Sequence, residues 1–305
     1  MSNVLVTGGA GFLGRALVER LLAAGDEVVV LDNMSSASPL PVPAGAEVVV
    51  GDVTLPPRLD HRFDRVFHLA SPASPPRFMA QPVETLRTGA EGTRSILDLA
   101  ESWGSRVLFA STSEVYGDPE SHPQREDYKG AVAVTSLRAP YDEAKRYGEA
   151  LVYAYRRSGR VTDSRVARIF NTYGPGMDPS DGRVVSNFLV QALKGEPLTI
   201  YGDGTHTRSF CYLDDLVEGL ILLERSDYSD PVNLGMPVEM TVLELAEAVA
   251  EVIGDTGLRF EKLPDADPAR RCPDITLARS LLGWEPRTDL ATGLRKTAEY
   301  FRSLL

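Results

Sequence analysis

The first 170 residues alternate short, strongly apolar runs with longer stretches in which apolar side chains recur every three or four positions. The runs at Asn3–Thr7, Glu27–Asp32, Glu47–Gly51, Arg65–Leu69, Arg106–Ser111 and Ser164–Phe170 read as strands, and Phe12–Ala24, Pro82–Ser102 and Tyr141–Ser158 as helices between them. Strands that alternate with helices form parallel sheets, because a parallel neighbour can be reached only through a crossover. Right-handed crossovers then make a doubly wound, Rossmann-type α/β sheet the economical topology.

Beyond Phe170 the pattern changes. Gly and Pro become frequent, and the short strand-like pieces Leu198–Tyr201 and Ser209–Tyr212 alternate with helical stretches at Val184–Lys194, Leu213–Glu224 and Thr241–Ile253. This predicts a nucleotide-binding domain over residues 1–170 and a smaller, mainly substrate-binding part over 171–305. No low-complexity linker separates them, so the boundary is expected to be interwoven. The run Ser35–Pro43, rich in Ser and Pro, predicts a surface loop.

Composition narrows the function classes. With 305 residues, 43% apolar and 25% charged, the chain has the make-up of an ordinary globular protein. A net charge of -11 opposes general attraction to nucleic acid or to anionic membranes, so any phosphate must be held by local donors. The two cysteines, Cys211 and Cys272, lie far apart without metal-site or dithiol spacing, and are expected as buried side chains with no metal. The chain begins directly in a strand-like run and lacks a signal-peptide pattern or a membrane-length apolar segment, which predicts a cytoplasmic protein.

Chemistry first appears at the end of the first strand. Gly8, Gly11 and Gly14 stand at G-x-x-G-x-x-G spacing and lead through Phe12 and Leu13 into the first helix. A tight strand-to-helix turn brings backbone close to a pyrophosphate and points helix amides at it. Asp32 ends the second strand, where a carboxylate can accept both hydroxyls of an adenosine ribose. No basic residue follows in Asn33-Met34-Ser35-Ser36 to pair with a 2′-phosphate, so the spacing predicts NAD rather than NADP. Asp52, beside Val53, is expected near the adenine ring.

A second constellation lies further on. Tyr141 and Lys145 are four residues apart and therefore share one helix face. A tyrosine acts as a base at neutral pH only if positive charge lowers its pKa from about 10, and Lys145 together with an oxidised nicotinamide is expected to supply that charge. The preceding strand ends in Ser111-Thr112-Ser113-Glu114, which places hydroxyls in the crevice at the C-terminal ends of the strands.

These residues resemble the extended short-chain dehydrogenase/reductase family, in its branch of nucleotide-sugar epimerases, dehydratases and decarboxylases. The resemblance covers nearly the whole chain. The segments His68–Pro76, Ser111–Pro119, Arg168–Pro175 and Asp181–Phe188 are most similar to the UDP-glucuronate decarboxylases within it. The resemblance implies NAD contacts at Leu69, Ala70 and Ser71 as well as at the glycine turn. It implies UDP-sugar contacts from Asn171, Val185 and Asn187, stacking of Tyr201 on the base, and phosphate contacts from Arg208 and Arg271. It also implies that Glu114 positions the sugar or a water near C5, while Thr112 and Ser113 hold the reacting edge, and that the protein is a homodimer packed through Pro82–Ser102 and Tyr141–Ser158.

The implied reaction converts UDP-glucuronate to UDP-xylose through a transient 4-ketone with internally recycled NAD. The chain departs from the family at Arg77-Phe78, where His-Tyr is usual, and at Gly89, where Asn is usual. Arg77 is therefore expected to grip the sugar carboxylate. A site that held the carboxylate differently would re-add hydride to the opposite face, as a UDP-glucuronate 4-epimerase. A non-catalytic nucleotide sensor would have no need for Tyr141 and Lys145 together.

Overall fold

The computed structural model describes residues 1–263 and 270–305. Strand β1 (Asn3–Thr7) turns into α1 (Phe12–Ala23), followed by β2 (Glu27–Asp32), β3 (Glu47–Val50) and β4 (Arg65–His68). Three short helices come next, α2 (Pro75–Ala80), α3 (Pro82–Arg87) and α4 (Thr93–Trp103), the last two joined by a π-helical turn at Thr88–Gly92. Strand β5 (Arg106–Thr112), helix α5 (Ala139–Arg157) and strand β6 (Ser164–Ile169) complete the first part. All six expected strands are present with ends within one residue. The expected helix at Pro82–Ser102 is broken by the π turn, and α2 is an added helix that the sequence pattern did not predict.

The second part contains β7 (Thr172–Tyr173), α6 (Val184–Leu193), β8 (Leu198–Tyr201), β9 (Thr207–Arg208), β10 (Cys211–Tyr212) and α7 (Leu213–Arg225). It ends with β11 (Pro231–Leu234), β12 (Met240–Thr241), α8 (Val242–Ile253), β13 (Leu258–Glu261), β14 (Arg270–Arg271), α9 (Thr276–Leu282) and α10 (Leu290–Arg302). The expected strand at Ser209–Tyr212 shortens to its last two residues. Strand β11 was not legible in the sequence, because Pro231-Val232-Asn233-Leu234 is short and mixed in polarity; burial of all four residues in the sheet makes it a strand.

Seven parallel strands form the central sheet in the order β11-β6-β5-β4-β1-β2-β3. Side chains alternate between its faces, as a strand requires. Val4, Val6, Val28 and Val30 pack with Leu17 and Leu21 of α1 and Leu216 and Leu220 of α7. Leu5, Val29, Leu31 and Val66 face the other way, onto Ile96 and Leu97 of α4 and Val152 of α5. Covered on both faces, the inner strands read as near-continuous apolar runs, whereas β3 at the sheet edge leaves Val48 and Val50 exposed. A separate core, with Phe188 and Leu189 of α6, Val249 of α8 and Phe301 of α10, supports the C-terminal elements. β11 comes from residues beyond 170, so the second part contributes a strand to the main sheet. Among the described residues no helix is long and apolar enough to cross a membrane. Both cysteines are buried and free.

Candidate active site

At the C-terminal ends of β1, β2, β4, β5 and β6 the chain encloses a cavity of about 700 Å³. Every residue expected from the sequence at the cofactor, the reacting sugar or the nucleotide lies on its wall, from Gly8 to Arg271. The glycine turn is tightly built: a Cβ on Gly14 would stand 2.1 Å from the Gly8 carbonyl oxygen, so only glycine lets α1 begin this close to β1. No side chain caps the N-terminus of α1 at Gly11, and that helix end opens onto the cavity.

Asp32 accepts hydrogen bonds from the amide of Ala10 (3.0 Å) and from that of Met34 (2.8 Å). Those two bonds hold the carboxylate at the cavity wall and leave it acceptor capacity for ribose hydroxyls. The Asn33 amide donates to Asp52 (3.1 Å), which also accepts from the amide and hydroxyl of Thr54. The set of donors and acceptors suits a dinucleotide with an unphosphorylated ribose. The loop expected at 35–43 is present at the surface, with no buried residue, and Ser35, Ser36, Ala37 and Ser38 also line the cavity.

At the other end, α5 carries Tyr141 and Lys145 beneath the end of β5. Phe78 of α2 stacks on Tyr141, with ring centroids 4.9 Å apart and planes 7° apart. Burial pushes the Tyr141 hydroxyl up to about 12, while its hydrogen bond to Thr112 and the charge of Arg183 pull the other way. Lys145 donates to the Ala110 carbonyl at 2.8 Å, and its Nζ lies 6.0 Å from the Tyr141 ring centroid. Burial lowers its pKa to about 8. The expected lowering of the tyrosine is therefore not achieved by the protein's own charges, because desolvation outweighs them. An additional cation beside Tyr141 is needed to make it a base at neutral pH.

Glu114 is buried and pairs with two guanidiniums. Arg138 Nη2 donates to its Oε1 at 2.6 Å, and Arg271 Nη1 donates to the same oxygen. Burial opposes the charge, but Arg271 and Arg138 prevail and hold the carboxyl down at about 2. Asp142, next to Tyr141, shows the opposite balance: burial and the charge of Glu114 raise it to about 7. Arg138 was missed from the sequence, since nothing in its spacing announces that a residue 24 positions after Glu114 will meet it.

The expected phosphate ligands need a closer description. Arg208 and Arg271 are register partners on the adjacent strands β9 and β14, so tertiary structure places both guanidiniums on the same wall. Arg271 is already engaged, its Nη1 with Glu114 and its Nη2 with the Gly117 carbonyl at 3.4 Å. A fork of both Nη atoms on a phosphate would have to displace these partners. Arg77 is likewise committed: Nη1 donates to the Ser35 carbonyl (2.7 Å) and Nη2 to Asp178 (2.8 Å). It ties the loop after β2 to the loop before α6 across the cavity. Asn187 donates to the Gly182 carbonyl, and Tyr201 is part-exposed at the rim.

A family model for the NAD dependent epimerase/dehydratase family matches residues 4–235. The chain belongs to this family. Among curated relatives, UDP-glucuronic acid decarboxylase 1 of Xenopus tropicalis is 48% identical over 309 residues, covering 99% of this chain and 73% of the relative. UDP-glucuronic acid decarboxylase 6 of Arabidopsis thaliana is 48% identical, covering 98% of this chain and 89% of its own. The crystal structure of UDP-glucose 4-epimerase from Thermotoga maritima, with UDP-glucose, superimposes with a TM-score of 0.91 at 30% identity and covers 99% of both chains. In this member of the NAD dependent epimerase/dehydratase family, the glycine turn, Asp32, Tyr141 and Lys145 thus all line one cavity.

Proposed function

We propose that this protein is a UDP-glucuronate decarboxylase that produces UDP-xylose and carbon dioxide. The observation that carries the reading is the meeting, in one cavity, of the Thr112–Tyr141–Lys145 cluster with an ionised Glu114 clamped between Arg138 and Arg271. NAD, held by the glycine turn and Asp32, supplies a hydride acceptor and, in its oxidised form, the positive charge that Tyr141 lacks.

Tyr141 removes the proton from the sugar C4 hydroxyl as C4 is oxidised to a ketone, and Thr112 holds the phenolic oxygen in place. The carboxylate on C5 is then β to that ketone. Carbon dioxide leaves with the C5 electrons delocalised into the carbonyl as an enolate. C5 takes up a proton from water, C4 is reduced again, and Tyr141 returns its proton to the C4 oxygen. Glu114, held at about 2, is an acceptor throughout. It therefore orients the sugar or a water at C5 and does not itself donate the proton. Asn171, Asn187 and Tyr201 are assigned to the nucleotide, and Arg208, with Arg271 beside it, to the diphosphate.

The purified protein is incubated with UDP-glucuronic acid without added reductant, and gas and sugar nucleotides are followed. Release of carbon dioxide with UDP-xylose supports the proposal. UDP-galacturonate without gas replaces it with 4-epimerisation, and no turnover overturns it in favour of a sensor or another UDP-sugar. Tyr141→Phe is expected to abolish turnover with NAD still bound. We also infer a homodimer packed through α3, α4 and α5, where Val83, Leu86 and Tyr147 are exposed; a monomeric mass by light scattering would exclude it.

A further inference from the structure

Arg271 is held in place by a residue that does not line the cavity. Gln124 is fully buried, in the loop between β5 and α5, and grips the backbone of Cys272, the residue after Arg271, from both sides. Its main-chain amide donates to the Cys272 carbonyl (2.9 Å), and its side-chain oxygen accepts from the Cys272 amide (2.8 Å). Its own carbonyl accepts from the Asp274 amide at 2.8 Å. Strand β14 is only two residues long and pairs with the equally short β9, so few other backbone bonds fix the direction in which Arg271 leaves the chain.

The clamp is itself rooted in the central sheet. The Gln124 carbonyl accepts from Asn233 of β11 (3.0 Å), and Asn233 accepts from the Tyr116 hydroxyl (2.7 Å). Arg168 of β6 donates to that hydroxyl (3.0 Å) and to Glu149 of α5 (2.8 Å), which accepts in turn from Ser111 of β5 (2.6 Å). A buried polar chain therefore runs from the strand that ends in Thr112 to the strand that presents Arg271. Such a network, with its partners satisfied, holds one geometry rather than an ensemble.

We propose that Gln124 is a positioning residue for the reaction, acting through Arg271 to hold the guanidinium against Glu114. The proposal rests on the decarboxylase reading for its assay. Gln124→Leu keeps the bulk and removes the acceptor for the Cys272 amide. It is expected to lower kcat for carbon dioxide release by about tenfold, as small misplacements at a reacting centre do, with bound NAD unchanged.

The deciding measurement is a double-mutant cycle. In an Arg271→Lys background, Gln124→Leu should cause no further loss, because the group it positions is already gone. Losses that multiply, or a wild-type kcat in the single variant, would overturn the proposal. A purely structural role would lower the unfolding midpoint and leave kcat per folded, NAD-loaded molecule unchanged. If the leucine variant does not fold, Gln124→Asn, which withdraws the carboxamide by one methylene, enters the same cycle. If the wild type releases no carbon dioxide, the function reading fails separately. The cycle is then run on UDP affinity by calorimetry, where additive losses again reject the clamp.

Discussion

Replacing Lys145 by Met tests whether the lysine works through its charge. Nζ lies 6.0 Å from the Tyr141 ring centroid. Taking this distance to the ring, over which a phenolate's charge is delocalised, as the separation of the charges, an effective dielectric constant of about 20 makes the pair worth about 3 kcal/mol. Loss of the ammonium should therefore raise the tyrosine by about two pK units and cut turnover at pH 7 about 100-fold.

The same charge carries a stability cost of opposite sense. Lys145 is buried, and its pKa in the fold is about 8 against an ordinary 10.5, so the folded state disfavours the protonated form. The penalty is complete below pH 8 and fades as pH rises to 10.5; integrated, it amounts to about 3 kcal/mol. The orphaned Ala110 carbonyl returns about 1 kcal/mol of this. Lys145→Met should thus be less active yet more stable at pH 7, and both differences should shrink toward pH 10 as the wild-type lysine loses its proton. Carbon dioxide release and urea unfolding, each followed from pH 7 to 10, check this. An activity ratio that does not change with pH, or a less stable variant, would refute the electrostatic account and leave Lys145 a hydrogen-bonding role only.

Two further outcomes follow from the site. Glu114→Gln leaves Arg138 and Arg271 buried without their shared anion and should destabilise the protein by about 3 kcal/mol at pH 7, somewhat less if Asp142 ionises in compensation. Glu114 is depressed from 4.5 to about 2, so its contribution is complete above pH 4.5 and is lost as pH falls toward 2; urea unfolding at pH 7 and pH 3 should show the gap closing. Gly89→Asn, which restores the residue usual in the resembled family, would set a Cβ 2.5 Å from that of Ala144 and force the π turn away from α5. Overpacking of this kind costs about 1–3 kcal/mol. A thermal midpoint equal to that of the wild type would show that the two helices yield freely there.

How much was legible in the sequence depends on whether the signal is local. Apolar periodicity located the six strands up to β6 and the helices α1 and α5, because each carries its own repeating local pattern, whereas α2 and the π turn between α3 and α4 left no such signal. The glycine turn, Asp32 and the Tyr141–Lys145 pair were legible for the same reason: close backbone approach and a shared helix face are constraints between near neighbours. Only tertiary structure decided the rest. It recruited Pro231–Leu234 to the sheet, set Arg208 beside Arg271, brought Arg138 to Glu114 and committed Arg77 to Asp178 and Ser35. Ion pairs between residues far apart in the chain leave no spacing to read. Tertiary structure also set the protonation of the site, because desolvation depends on everything packed around a group; the Tyr141–Lys145 pair is visible as a motif, but the shift of its tyrosine to about 12 is a property of the folded surroundings.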